Sequence, residues 1–561
     1  MSSPRNILVG TALALVLAIP FISMATETHK LVATAMAGAS VEPAPAQTVF
    51  AAAVPRIDLP APASATLAPE TATSFATEQP TAAEQAVEPD PLTALDPADR
   101  AVAEQIRHIL AAKADRFFAS KNERAAIVAF YQNRYFAPLW LESGAENDRA
   151  EAIIARLKTS DSDGLDPSEY QPPNFTGFAP EVLAEAELKL THILLTYVRH
   201  LQAGRFPYSR VSRNIELPQV APEPADILSS VANAADVGKA LDGFSPQQEP
   251  YRKLKAMLAE LRGKSTAKSE SARQIETIIA NMERWRWYPR DLGSAHVLVN
   301  LPDFTLQVMH NGAQAWTTRI VIGKPSMPTP LLSETMKYIT VNPTWHVPQS
   351  IVQNEYLPAL AQDPTVLDRM GLRVSYNGGR VEITQPPGAG NALGRLRFNF
   401  PNRFSVYHHD TPDKQLFAQD FRAYSHGCMR VQDPAKYAEV LLDIARPREH
   451  WTAERIKSMF GAAEQDIQLQ PTPIWVHLTY QTALIDNTGK LQIRRDVYNL
   501  DSRTLAAIKS ERGTVESGEE RKRVSGTGVA KSARPARTAA QSTMYQAPIY
   551  ARPLTLQSIY R

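Results

Sequence analysis

Cysteine is nearly absent from this sequence: 561 residues hold one. A single thiol cannot form an intramolecular bridge, which excludes a disulfide-stapled scaffold. An excess of either charge is absent too, with 60 Lys+Arg against 58 Asp+Glu and a formal net charge of +2. A nucleic-acid binder ordinarily carries a basic excess or a basic face, so the balance argues against that class. Glycine is scarce beside proline, 25 against 43, the reverse of ordinary usage. Part of the chain is therefore not folded core. Long apolar runs occur in one place only, near the N-terminus.

That run extends from Ile7 to about Ala25, behind Arg5 and ahead of Thr26-Glu27-Thr28-His29-Lys30. A base followed by about nineteen mostly apolar residues marks residues 1–30 as a signal peptide or an N-terminal membrane anchor. Small-x-small triplets around Ala33–Ala39 suit a signal peptidase but lie far from the run, so cleavage and anchoring both stay open. Everything beyond it is expected outside the cytoplasm. Residues 41–90 contain 14 Ala and 8 Pro, with Arg56 as the sole base. Such a stretch lacks the bulky apolar groups that offset ordering entropy, and 31–96 reads as a disordered, extended linker. From Arg521 onward there are eight Lys/Arg and no acid, and 501–561 reads as a disordered basic tail. It could touch an anionic polymer or membrane surface, or simply stay solvated.

Between the ends lie about 400 residues, enough for two or three domains with real cores. Residues 97–265 read as helical: Ala101–Ala119, Glu123–Tyr135, Arg149–Thr159, Pro180–Gln202 and Gln247–Arg262 repeat apolar side chains at three and four, with Asp163-Gly164-Leu165-Asp166-Pro167 as a turn. From about His296 the pattern becomes short runs of Val, Ile, Thr and aromatics punctuated by Gly, Pro or Asn. Strands are predicted at His296–Asn300, Thr305–His310, Trp316–Ile322, Lys337–Val341, Val381–Thr384, Phe404–Tyr407, Ile474–Tyr480 and Leu491–Arg494, with helices at Pro434–Ile444 and Ala453–Phe460. The fold class is α+β.

The lone cysteine stands in Tyr424-Ser425-His426-Gly427-Cys428-Met429-Arg430-Val431, downstream of Val406-Tyr407-His408-His409-Asp410-Thr411-Pro412. An isolated Cys is commonly a small buried hydrophobe. Here Gly427 permits a tight turn, and His426 and Arg430 lie close enough to favour the thiolate. A retained, unpaired exported thiol is also a candidate nucleophile. Its base must titrate near neutrality, which leaves His408, His409 and His426. His408 and His409 are neighbours on a predicted strand and face opposite sides, so only one can reach the thiol. A metal site from His408, His409, Asp410, His426 and Cys428 is the competing arrangement, although the spacing matches no usual zinc pattern.

Ser425-His426-Gly427-Cys428-Met429-Arg430-Val431, with His-Asp-Thr nineteen residues before the Cys, resembles the signature of L,D-transpeptidases with a YkuD-type catalytic domain. Asn281–Trp287, Val299–Pro302, Ile322–Lys324, Asn342–Pro348 and Asn391–Gly394 resemble the large Gram-negative branch. Pro138-Leu139-Trp140, Asp163-Gly164-Leu165 and His200–Arg205 resemble that branch's helical scaffold domain. The resemblance covers roughly 97–500. It implies a helical scaffold domain at 97–265 and a mainly-β catalytic domain at 266–500 with a capping insertion at about 344–398. Only about 25 residues, Gly263–Trp287, separate the last scaffold helix from the approach to the first strand, too few for the peptidoglycan-binding module many members carry there.

By that resemblance Cys428 is the nucleophile, His409 the general base, Tyr407 an oxyanion donor, and Gly427 with Cys428 supply backbone N–H groups. Ser425, His426 and Trp345 are expected to contact substrate, while Arg430 stays open between substrate, loop orientation and a structural ion pair. The implied reaction is acyl transfer in the periplasm. Cys428 attacks a tetrapeptide stem at its L-to-D junction, D-Ala leaves, and a diaminopimelate amine of an acceptor stem resolves the thioester into a 3–3 crosslink. No metal and no organic cofactor are needed, and the thiol is the expected target of carbapenems. Water, an amino-acid amine or an outer-membrane lipoprotein as acceptor would instead make a carboxypeptidase, an exchange enzyme or an attachment enzyme. A silent wall-binding scaffold is disfavoured by the presence of Cys428, His409 and Tyr407 together.

Overall fold

The computed structural model describes residues 91–510 apart from 119, 178 and 264–268. The expected export segment, the linker up to residue 90 and the tail beyond 510 lie outside the described residues.

The N-terminal part is helical, as its apolar spacing requires. Pro97–Ala112, Lys121–Asn133, Asp148–Lys158 and Pro180–Ala203 are its main helices. Their starts are set by local chemistry: the side chains of Asp96, Ser120 and Asn147 accept from the N–H groups of Ala98, Glu123 and Ala150. The first helix ends at Ala112, short of the predicted Ala119. Pro224–Ala232 and Val237–Asp242 are further helices that the periodicity did not reveal. The long helix Pro180–Ala203 is the spine, burying Leu183, Leu188, Leu194, Leu195, Val198 and Leu201. It also carries Glu187 into the core, where the carboxylate accepts from Leu139 N–H at 2.5 Å, Trp140 N–H at 3.1 Å and the Tyr131 hydroxyl at 2.8 Å. Pro138-Leu139-Trp140 is thus the segment whose backbone satisfies a buried acid.

The C-terminal part is a curled sheet. Its strands run in the spatial order 465–468, 338–341, 396–399, 408–409, 429–431, 313–323, 305–310, 295–300, 474–479, 331–336 and 215–216, with Ala423–Ser425 joined to the strand 313–323. Helix Pro434–Ala445 covers it, burying Tyr437, Ala438, Leu441 and Leu442. Two pairings bring the histidine pair beside the cysteine segment. His408–His409 lies parallel to Met429–Arg430, and antiparallel to Arg397–Phe398 on its other side.

Several boundaries differ from the sequence reading, each for a physical reason. The division at 265 is not a packing boundary: Phe206, Val211, Ile215, Leu217, Tyr251, Leu254 and Leu258 belong to the same core as the sheet. The supposed connection after Gly263 is itself mostly helix, Ser269–Trp285, with Ile278, Met282 and Trp285 in that core. Phe404–Tyr407 is not a strand. Asn402 overrides its β-favouring composition, accepting from the N–H groups of Phe404 and Val406 and donating to the carbonyls of Phe400 and Val406. The capping insertion has its own small core of Val347, Ile351, Val352, Leu367, Leu372, Val381 and Ile383. It ends before 396, because Leu396–Asn399 pairs with Tyr338–Val341 inside the main sheet. Residues 500–510 are helix rather than tail. Leu500, Ala507 and Ile508 are buried, and Asp501 pairs with Arg284 at 2.6 Å.

Candidate active site

Cys428 sits in a tight turn between Ala423–Ser425 and Met429–Val431. Gly427 has φ +115°, a conformation that L side chains rarely adopt, so the residue before the thiol must be glycine. Polar contacts fix the turn further. Ser425 Oγ donates to Cys428 O at 2.5 Å and accepts from Gly427 N–H at 3.2 Å, and Met429 N–H reaches Tyr407 O at 3.1 Å. The two Ser425 contacts revise expectations. The Ser425 hydroxyl serves the turn rather than a ligand, and the Gly427 N–H is engaged by Ser425 rather than free for an oxyanion.

The turn faces a cavity of about 490 Å³ whose walls include Cys428, His409, Tyr407, Ser425, His426 and Arg430 from the sheet, and Trp345, Ile351, Glu355, Tyr356, Leu372 and Gln385 from the cap. His408 and His409 do face opposite ways. His408 points into the core, 3.0 Å from the Tyr437 hydroxyl and edge-on to Phe400. His409 lines the cavity. Its Nδ1–H donates to Asp410 O at 2.5 Å, which leaves Nε2 as the acceptor on a neutral ring. The Asp410 carboxylate is taken up by Arg395 N–H, Thr411 N–H and Lys414. With His408 and Asp410 turned away, the five residues of the competing metal arrangement do not converge, and no group of three or more metal-ligating side chains occurs among the described residues.

Burial shifts the titrating groups in opposite directions. It pushes the Cys428 thiol up to about 11, against the Tyr407 N–H and hydroxyl and the charges of Arg397 and Arg430. It pushes His409 down to about 3, helped by Arg430. Tyr407 is held well above the usual phenol range, by burial and by Cys428 beside it, and so remains a donor. Trp345 lines the cavity with Tyr407, the Arg397 guanidinium lies 5.6 Å from the Tyr407 ring centre, and the rings of Tyr407 and His409 meet edge to face at 5.8 Å. Arg430 pairs with Asp413 at 2.8 Å, the ion-pair alternative, while still lining the cavity. His426 donates from Nε2 to Glu355 of the cap at 2.6 Å, with Lys324 at 3.7 Å from the same carboxylate. Three contributors carried no motif signal: Arg397, Glu355 and Tyr356. Arg397 could have been found only from the register Arg397↔His409.

The family comparison agrees with this geometry. A model of the L,D-transpeptidase catalytic domain (YkuD) matches residues 294–452. The chain carries a YkuD-family L,D-transpeptidase catalytic domain. A Scaffold domain model matches residues 125–258 ahead of it, which takes in the segments that pack against the sheet. A candidate L,D-transpeptidase of Haemophilus influenzae is 24% identical over 399 residues, 67% of this chain and 78% of that protein. Among solved structures, an L,D-transpeptidase from Mycobacterium smegmatis is similar at 14% identity and a TM-score of 0.17, over 33% of this chain and 59% of that one. An Enterococcus faecium L,D-transpeptidase is similar at 13% identity and a TM-score of 0.16, over 47% of this chain and 93% of that one.

Proposed function

We propose that this L,D-transpeptidase domain acts on peptidoglycan outside the inner membrane, forming 3–3 crosslinks between diaminopimelate residues of tetrapeptide stems through a thioester on Cys428. One observation carries the reading: a thiol, a neutral imidazole with its Nδ1 proton anchored, and a protonated phenol share one capped cavity. His409 Nε2 takes the thiol proton as sulfur attacks the carbonyl, then returns it to the departing D-Ala amine. The Tyr407 hydroxyl and Cys428 N–H stabilise the oxyanion. His409 next removes a proton from the acceptor amine, which attacks the thioester and restores the thiol. The cap excludes water while the thioester waits, which favours an amine acceptor over hydrolysis. Export by the segment 1–30, as signal or anchor, belongs to the same proposal.

Imipenem, found in complex with one solved L,D-transpeptidase, supplies the test. Intact-mass spectrometry of the chain after exposure should show one adduct that maps to Cys428 and is absent from Cys428→Ala. Incubation with disaccharide-tetrapeptides should give dimers with the parent and none with Cys428→Ala. Crosslinking that persists in the variant would sink the thiol mechanism.

A further inference from the structure

Against the catalytic turn, and not among the residues that line the cavity, a threonine and a tyrosine hold the backbone. Thr329, 2% exposed, sits between the strands Ala313–Gly323 and Leu331–Met336. Its Oγ1 donates to Gly427 O at 2.8 Å and accepts from Gly323 N–H at 2.9 Å. Its own N–H reaches the Tyr498 hydroxyl at 3.2 Å, and that hydroxyl donates to Gly323 O at 2.7 Å. The Thr329 hydroxyl has one proton, and its direction is fixed: Gly323 occupies the acceptor side, so the proton goes to Gly427.

In a trans peptide the carbonyl and the next N–H point opposite ways. Holding Gly427 O back against Thr329 therefore turns the Cys428 N–H forward, on the side of the cavity. The peptide needs such a hold, because glycine imposes little steric resistance to a flipped orientation. The Gly427 N–H is already engaged by Ser425, which leaves the Cys428 N–H as the backbone donor of the turn.

We propose that Thr329 is a positioning residue for the oxyanion hole, locking the Gly427–Cys428 peptide so that the Cys428 N–H meets the developing charge, with Tyr498 holding Thr329 in place. The proposal rests on the acyl-transfer reading of the site. It gives the segment beyond the matched catalytic domain a part in the chemistry through Tyr498.

The test compares two reagents on the full-length chain. Imipenem forms an oxyanion as it acylates Cys428, whereas iodoacetamide alkylates the same thiol by displacement and forms none. Thr329→Val keeps the shape and removes the hydroxyl; it should slow acylation by about 10- to 100-fold, approaching the loss of a direct oxyanion donor, and leave alkylation unchanged. Thr329→Ser should keep both rates. Acylation of Thr329→Val at the parent rate, an equal loss with both reagents, or a Thr329→Ser as slow as the valine variant would each overturn the proposal. Should the valine variant fail to fold, Tyr498→Phe decides between the same outcomes: a loss confined to acylation supports the lock and an equal loss overturns it. A parent that is alkylated but never acylated would remove the acyl-transfer reading itself, and the lock would have no oxyanion to serve.

Discussion

At rest Cys428 is a weak nucleophile. With its thiol pushed up to about 11 and His409 pushed down to about 3, both by burial, the pair is neutral at physiological pH. A thiolate–imidazolium pair would place two charges in a cavity already flanked by the cations Arg397 and Arg430, and desolvation disfavours it. In the proposed reaction the proton then moves as the carbonyl is attacked, which is where the fixed Nδ1 hydrogen bond of His409 matters. The signs of the two shifts can be measured. Because a raised thiol pKa keeps the thiolate rare, alkylation by iodoacetamide should climb roughly tenfold per pH unit from 7 to 10 without levelling off. A plateau near pH 7 would mean a preformed thiolate. His409→Ala should cut imipenem acylation at pH 7 by about 10²- to 10⁴-fold, the span of general-base effects, while alkylation at pH 10 stays near the parent rate.

Among the elements, the capping insertion stands over the site, lining the cavity with Trp345, Ile351 and Glu355. It packs around its own small core, and near the thiol its polar contact with the main sheet domain is Glu355 with His426 and Lys324. All three groups are about one-third exposed, so the contact contributes at most about 1 kcal/mol. That suits a lid that opens during turnover. Glu355→Gln should raise KM for a tetrapeptide donor by no more than about fivefold, leave kcat nearly constant and increase hydrogen exchange across 347–385. A fall in kcat with unchanged KM would show that Glu355 acts in the chemistry instead.

The same elements show what could be read in advance. The strands Ala295–Asn300, Thr305–His310 and Ile474–Thr479 stand within one residue of their predictions, because β-branched alternation is a local signal. The opposite facing of His408 and His409 follows from strand geometry alone. Phe404–Tyr407 misled because its aromatics suggest a strand, whereas Asn402 folds it into the loop that brings Tyr407 to the thiol. Thr329 and Tyr498 were illegible for another reason: they act through hydrogen bonds spanning 98 and 175 residues of sequence, and no local pattern encodes such a contact. The family resemblance pointed to Cys428, His409 and Tyr407, which the structure brings to one cavity. It did not reveal that Ser425 turns its hydroxyl inward.

Over the whole molecule, the helical and sheet parts are joined by a buried ionic junction built from segments that sequence alone had marked as distinctive. Asn281–Trp287 supplies Glu283 and Arg286, 0% and 2% exposed, paired at 2.9 Å. Glu283 also accepts from Arg205 N–H at 2.7 Å. Arg286 reaches Asp163 O and, at 3.1 Å, the Tyr251 hydroxyl. Gly204 is glycine because a Cβ there would lie 2.6 Å from Glu283 Oε1. Four stretches separated by up to 123 residues of sequence therefore meet at one carboxylate and one guanidinium. A buried pair of this kind contributes less to net stability than to registry, since desolvation offsets much of its attraction, yet removing one partner strands the other. Glu283→Gln should cost about 3–5 kcal/mol in urea unfolding, and Glu283→Leu combined with Arg286→Leu should cost less than the sum of the two single changes. Because the helical core and the sheet core are separate clusters, the single variant should also split unfolding into two transitions, followed by Trp140 fluorescence in one part and imipenem acylation of Cys428 in the other. A single coincident transition in both signals would show that the two parts are coupled by their packed surfaces rather than by this junction.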